Sequence, residues 1–287
     1  MLTPPTPHPT TTPLSLSLAS LRFSRPADGT FNRLVYYPPS PPRSLSSPYA
    51  LNPKLDWPAL EDAYLAGKVL QVDGLLTRSA HAGLLTLARD ATVYYDAKRT
   101  YLGAYIDSIG DYVWLSALVS EFRARFPRVV KDLPLGEAWF YSYDSEEARA
   151  GGIAVHADMA AVNINIWLTP DSANNDPNSG GLVVYDKGPR LTDVYDLEQF
   201  NVWNNFSYED KRTEWLKEQG ARHITVPYRS NRACIFDSVR LHKTDKYNFK
   251  TGYKNRRINL TLLFGSSGEN GTERPLLNEF VEFKPTL

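Results

Sequence analysis

The segment Val162-Asn163-Ile164-Asn165-Ile166-Trp167-Leu168 alternates strictly. At the two-residue period of a strand, Asn163, Asn165 and Trp167 share one face, and Ile164, Ile166 and Leu168 share the other. A half-exposed strand would show the same alternation. The position of this one argues otherwise, because it closely follows His156-Ala157-Asp158 at the start of an apolar run. We therefore read Asn163, Asn165 and Trp167 as facing a pocket.

His156 and Asp158 are two residues apart, so on an extended strand they project to one side. His242 comes much later, after the strand-like Arg232–Asp237, and Arg257 opens another such segment, Arg257–Phe264. These two segments can be neighbours in a sheet. Two histidines and a carboxylate are the ligands of a facial-triad Fe(II) site, which keeps positions open for O2 and a co-substrate. A buried arginine nearby can grip a dicarboxylate with two parallel hydrogen bonds. Each part alone is a weak signal, since single histidines are more often structural. Their order carries the case. Ser179-Gly180-Gly181-Leu182 lies between the two halves, where a tight turn into a strand is expected. His8, His81 and His223 have no partner at ligand spacing and read as structural or exposed. Asp171, Asp176 and Asn178 read as turn formers rather than a calcium loop.

The order His-X-Asp, Ser-Gly-Gly-Leu, distal His and Arg before an apolar strand resembles the Fe(II)/2-oxoglutarate-dependent oxygenases, nearest the prolyl-hydroxylase-like branch. Val155–Asp186 and Gly252–Gly265 resemble a motif pair recurring in a group of such oxygenases, and the likeness covers residues 69–265. The resemblance implies a mainly β fold with flanking helices around a double-stranded β-helix, a jelly-roll or cupin-like core. It implies Fe(II) on His156, Asp158 and His242, with 2-oxoglutarate as co-substrate and O2 as oxidant. Succinate and CO2 would be released as an unactivated C–H bond is oxidised. Hydroxylation is the default outcome, with radical cyclisation or desaturation open to the same residues. Asp158 is a carboxylate, which disfavours the halide-binding variant.

Further roles come from the same resemblance. Arg256 and Arg257 compete for the distal carboxylate, and the family's anchoring arginine, four residues before a threonine of the last core strand, favours Arg257. Arg256 points the other way and is left for a surface ion pair with Asp245 or Glu269. Trp167 stands where an aromatic, more usually tyrosine, helps hold the distal carboxylate, and its indole N–H can donate. From strand facing alone, Asn163 and Asn165 are the remaining candidates for contact with 2-oxoglutarate, and Tyr141 and Tyr143, which share a face, are pocket walls, donors to 2-oxoglutarate or core residues.

Composition sets the frame. A chain of 287 residues can bury a sizeable core in one large domain. Its 32 acidic and 32 basic residues cancel, which argues against a dedicated nucleic-acid binder. Cys234 is the only cysteine, so no intramolecular disulfide forms, and its apolar setting suggests a core residue. No apolar run is long enough to span a bilayer. Residues 1–58 hold 13 of the 21 prolines, which resist helix and central-strand structure. We expect a partly flexible Pro/Ser/Thr-rich arm over residues 1–55 and one oxygenase domain over 56–287. That domain divides into helical support (56–130), β core (135–265) and a C-terminal extension (266–287). Helices are expected at Ala59–Ala66, Arg78–Asp90, Val113–Phe126 and Tyr208–Gly220. A cytoplasmic location is expected, with organellar targeting by the arm left open. The expected substrate is a small molecule such as an amino acid or specialised metabolite, because no carrier, repeat array or lectin module is attached. The alternatives are a protein or peptide side-chain hydroxylase and a non-catalytic jelly-roll binding module.

Overall fold

The structure is a computed structural model that describes residues 36–39, 49–109, 112–146, 152–188, 209–266 and 275–286. In chain order its strands are β1 (Val69–Asp73), β2 (Asp96–Ala97), β3 (Tyr101–Tyr105), β4 (Leu135–Tyr143), β5 (Val162–Trp167) and β6 (Leu182–Tyr185). They continue with β7 (His223–Val226), β8 (Arg232–Asp237), β9 (His242–Thr244), β10 (Arg257–Phe264) and β11 (Phe280–Phe283). The large sheet runs β11-β1-β8-β5-β10-β4-β3-β2, and the small one runs β7-β6-β9. A bridge between His156 and His242 extends the small sheet by one more segment.

The chain shuttles between the two sheets. β4 lies in the large sheet, His156 in the small, β5 in the large, β6 and β7 in the small, β8 in the large, β9 in the small and β10 in the large. Side chains from both sheets, among them Trp167, Phe236, Val184 and Val226, meet in one buried cluster. Two facing sheets, antiparallel except where β11 joins β1, threaded in this way form a double-stranded β-helix.

The alternation of β5 is used in full. Ile164 and Ile166 join Leu260, Leu262 and Phe140 beneath the helices Arg78–Asp90 and Val113–Arg125, whose Leu84, Leu87, Leu118 and Phe122 complete that cluster. Asn163, Asn165 and Trp167 take the opposite, barrel side. Burying each large aliphatic side chain is worth about 1.5–3 kcal/mol. A one-residue slip would send the isoleucines into the polar barrel and the asparagines into the helical layer. Burial therefore fixes the register. β10 obeys the same rule, with all eight residues buried because it is covered on both faces.

Several boundaries differ from expectation. The first helix is Trp57–Leu65, because Asp56 caps it by accepting from the Ala59 N–H at 3.1 Å. The helix expected over Val113–Phe126 ends at Arg125, with Phe126 as its C-cap. Arg78–Asp90 and Arg232–Asp237 fall where the sequence puts them. β8 and β10 are not neighbours, since β5 lies between them and pairs with both. The folded part also begins before residue 56. Ala50, Leu51 and Leu55 are buried, and the Glu121 carboxylate accepts from the backbone N–H groups of Ala50 and Leu51 at 2.7 and 2.9 Å. β2, β3 and β11 were not foreseen, and β11 pairs in parallel with β1. The insertion helix is Glu209–Glu218; Tyr208, most of the arm and Glu269 lie outside the described residues. Cys234 is fully buried, and burial pushes its thiol up to about 12. Among the described residues no helix is long and apolar enough to cross a membrane.

Candidate metal centre

His156 and His242 face each other across neighbouring strands. Each backbone N–H donates to the other's carbonyl, at 2.9 and 2.7 Å, so both side chains leave the sheet on one side. Their ring centroids lie 4.2 Å apart. Asp158, two residues after His156, comes to the same spot. Its Oδ1 lies 3.6 Å from His156 Nε2 and its Oδ2 lies 3.4 Å from His242 Nε2. The three potential ligand atoms lie within 4.8 Å of one another.

The tautomers follow from the neighbours. His156 Nδ1 contacts the Ala154 carbonyl at 2.8 Å, and His242 Nδ1 contacts the Arg240 carbonyl at 3.0 Å. A carbonyl only accepts, so each Nδ1 carries a hydrogen, and in the neutral ring Nε2 presents its lone pair. Burial and the neighbouring His242 push the His156 pKa down to about 4, so this ring is neutral near pH 7. Burial disfavours charge on Asp158, but the His242 and His156 rings, when they carry a second proton, and the Asn163 amide outweigh it and hold the carboxyl below its usual range. Two nitrogen lone pairs and a carboxylate converging on one point repel one another unless a cation sits between them. The donor set fits Fe(II) or a similar divalent transition ion.

Arg257 enters the barrel from the start of β10 and is 1% exposed. Its Nε donates to the Gly180 carbonyl, one terminal nitrogen to the Gly181 carbonyl at 3.2 Å, and the other to Asn259 Oδ1 at 3.1 Å. The guanidinium also lies over the Tyr143 ring, 4.8 Å from its centroid. Its partners are thus neutral, and none of the described carboxylates forms an ion pair with it; Asp245 acts only at longer range. The Ser-Gly-Gly turn has a direct part in this. Gly180 has φ +86°, and a Cβ on Gly181 would sit 1.8 Å from the Val226 carbonyl oxygen. Only glycines bring both carbonyls to the arginine.

Two cavities meet at the triad. The outer one, about 350 Å³, is lined by Tyr101, Tyr105, Trp139 and Tyr141, with His156 and Asp158 at one wall and Glu137 and Arg212 among its polar groups. The inner one is tight, about 30 Å³. Its lining joins His156, Asp158 and His242 to Tyr141, Tyr143, Asn165 and Arg257. Strand alternation reaches residues that the sequence reading passed over. Thr244 is two residues beyond His242, and Glu137 and Trp139 continue the face of Tyr141 and Tyr143.

Three expectations change. Asn163 lines neither cavity; its amide donates to Asp158 Oδ2 at 2.6 Å. Trp167 shares the inner face but also lines neither cavity, packing 5.7 Å from Tyr228 with its indole N–H unpartnered. Arg256 pairs with Asp144, while Asp245 accepts from the Gly180 N–H instead. His81 contacts Ser230 Oγ at 3.3 Å, and Asp176 and Asn174 cap local turns.

No family model matches the sequence, and no curated protein matches it. Solved structures do. A prolyl 4-hydroxylase from Phytophthora capsici aligns over 74% of this chain and 63% of its own, at 13% identity and TM-score 0.45. The chain thus spans less than two thirds of that protein. The non-heme α-ketoglutarate-dependent epimerase SnoN from nogalamycin biosynthesis aligns over 73% and 84%, at 14% identity and TM-score 0.49. HygX from Streptomyces hygroscopicus, with nickel and 2-oxoglutarate bound, aligns over 74% and 87%, at 13% identity and TM-score 0.44. At such identities the chemistry rests on the site itself.

Proposed function

We propose that this chain is an Fe(II)- and 2-oxoglutarate-dependent dioxygenase that oxidises an unactivated C–H bond of a small molecule. The observation that carries the reading is Arg257, a buried cation without a carboxylate partner among the described residues, on the wall that leads to the His156–Asp158–His242 group. A buried charge left without a counter-ion is costly, and an anionic ligand relieves that cost. Of its five N–H donors, three serve Gly180, Gly181 and Asn259, so donors remain for a carboxylate.

The residues then divide the work. His156, Asp158 and His242 would hold the metal. Arg257 would take the distal carboxylate of 2-oxoglutarate. Tyr141, Tyr143 and Asn165 would wall its channel. When bound, Fe(II) supplies the activation of O2 that couples decarboxylation of 2-oxoglutarate to C–H oxidation. The aromatic wall of the outer cavity excludes water and orients the substrate. Its volume lies at the lower end of small-molecule sites. Besides the His156 and Asp158 wall it carries one acidic and one basic side chain, Glu137 and Arg212, a combination suited to a zwitterion such as an amino acid.

Succinate release by the Fe(II)-loaded protein, measured across a panel of free amino acids, specialised metabolites and peptides, tests the reading. Substrate-dependent succinate with free small molecules supports it. Stimulation by peptides alone would make the protein a side-chain hydroxylase. No metal binding under anaerobic conditions would leave only a jelly-roll binding module.

A further inference from the structure

The inner face carries an unbroken line of side-chain hydrogen bonds between Arg257 and Asp158. Arg257 donates to Asn259 Oδ1 at 3.1 Å, and Asn259 Nδ2 donates to Thr261 Oγ1 at 3.0 Å. Thr261 Oγ1 donates to Asn165 Oδ1 at 2.9 Å, Asn165 Nδ2 to Asn163 Oδ1 at 2.5 Å, and Asn163 Nδ2 to Asp158 Oδ2 at 2.6 Å. Asn163, Asn165, Asn259 and Thr261 are each at most 6% exposed. The line crosses between strands where Thr261 of β10 stands opposite Asn165 of β5.

The direction of every bond is fixed by chemistry at the two ends. A guanidinium only donates, so Asn259 must turn its oxygen to Arg257 and its NH2 to Thr261. An ionised carboxylate only accepts, so Asn163 must turn its NH2 to Asp158 and its oxygen to Asn165. Asn165 must then offer its own oxygen to Thr261. The two chains of reasoning meet at Thr261, whose hydroxyl is the one group in the line able both to accept and to donate. The assignments agree there, and all five donors point the same way.

We infer that Asn259, Thr261, Asn165 and Asn163 form a polarised relay through which the Arg257 charge positions Asp158 for metal binding. These four are positioning residues in this respect. The inference rests on the proposed metal site. Hydrogen bonds in series polarise one another in a dry interior. A charged donor at the tail thus strengthens the Asn163 bond at the head. That bond holds Asp158 Oδ2 and so fixes the orientation of the carboxylate between the two imidazoles. The relay accounts for the spacings Asn163-X-Asn165 and Arg257-X-Asn259-X-Thr261, in which each polar residue shares the inward phase of its strand.

Thr261 gives the discriminating test, because its relay partners are Asn165 and Asn259 rather than any metal ligand. Co(II), standing in for Fe(II), is titrated into the purified full-length chain without 2-oxoglutarate, with calorimetry and the Co(II) visible spectrum as readouts. Thr261→Val deletes the hydroxyl and Thr261→Ser keeps it. The relay predicts that Thr261→Val weakens Co(II) binding about 10-fold or more and alters the Co(II) bands, while Thr261→Ser stays near wild type. Arg257→Gln, which removes the charge at the far end, should weaken Co(II) binding in the same direction and provides a second variant if Thr261→Val does not fold. Unchanged Co(II) affinity in a folded Thr261→Val or Arg257→Gln protein overturns the relay, even if 2-oxoglutarate binding suffers. So does a Thr261→Ser variant as weak as Thr261→Val. A wild-type chain that binds no Co(II) removes the metal reading itself, which keeps the two failures distinct.

Discussion

His156 and His242 form a reciprocal backbone pair, each N–H bonded to the other's carbonyl, so the strand pairing that builds the small sheet also sets the distance between two imidazoles. The site is therefore positioned by backbone, and its side chains can be removed without dismantling their support. His156→Ala and His242→Ala should each remain folded by circular dichroism, bind Fe(II) at least about 100-fold more weakly, and lose turnover, since two remaining ligands make a poor site. Full succinate formation by either variant would exclude the assignment.

The His156–Asp158–His242 group was legible because its parts obey short-range rules. His156 and Asp158 share a face at a spacing of two, and the β5 alternation survives intact in the structure. The partnership of His156 with His242 was not legible from spacing, because 86 residues of chain separate them and only strand pairing brings them together. β11 was missed for a related reason. Phe280–Phe283 is half exposed and gains its strand form from the edge of β1. Asn163 takes the barrel face that alternation assigns to it, and its amide there meets Asp158. Alternation tells which side a residue takes, whereas its neighbour there depends on the turn that brings Asp158 back over the strand.

Asp73 and Arg232 form a buried two-point ion pair between β1 and β8, at 2.5 and 3.1 Å, with Arg229 adding a third contact at 3.3 Å. Burial opposes charge on Asp73, yet the hydrogen bonds and charges of Arg232 and Arg229 prevail and hold its carboxyl below the ordinary value. A depressed folded pKa contributes stability that is present above the unfolded value, about 3.9, and is lost as pH falls through the folded one. Asp73→Asn should flatten the acid limb of the stability profile below that value. At pH 7 it should cost about 3–5 kcal/mol, because Arg232 stays buried without its charge partner. Urea unfolding at neutral and acid pH reads both effects.

Leu51 belongs by composition to the Pro-rich arm but is fully buried, bridged to Leu76 and pinned by Glu121. Leu51→Ala should destabilise the protein by about 2–5 kcal/mol, as for other buried leucines. Thermal unfolding measures it. A loss below about 0.5 kcal/mol, the range of surface changes, would mean that Tyr49–Leu55 is not part of the cooperative core.

Adjacent arginines on β10 and just before it should behave oppositely. Arg257 points into the barrel between Gly180, Gly181 and Tyr143, while Arg256 turns to Asp144 and lies 5.7 Å from the Tyr253 ring centroid. Arg257→Lys keeps a positive charge but loses the planar fork. Charge-assisted hydrogen bonds of this kind are worth about 1.5–3 kcal/mol, so the KM for 2-oxoglutarate should rise about 10- to 100-fold. Arg256→Lys disturbs a partly exposed pair worth about 1 kcal/mol or less, and the KM should stay within about 2-fold. Steady-state succinate release against 2-oxoglutarate concentration compares them directly. A reversed pattern would require β10 to sit one residue out of phase. Ile258, Leu260 and Leu262 would then enter the polar barrel, and Asn259 and Thr261 would be forced among the leucines of the helical layer. The burial of those three apolar residues with Leu84, Leu118 and Phe122 stands against that register.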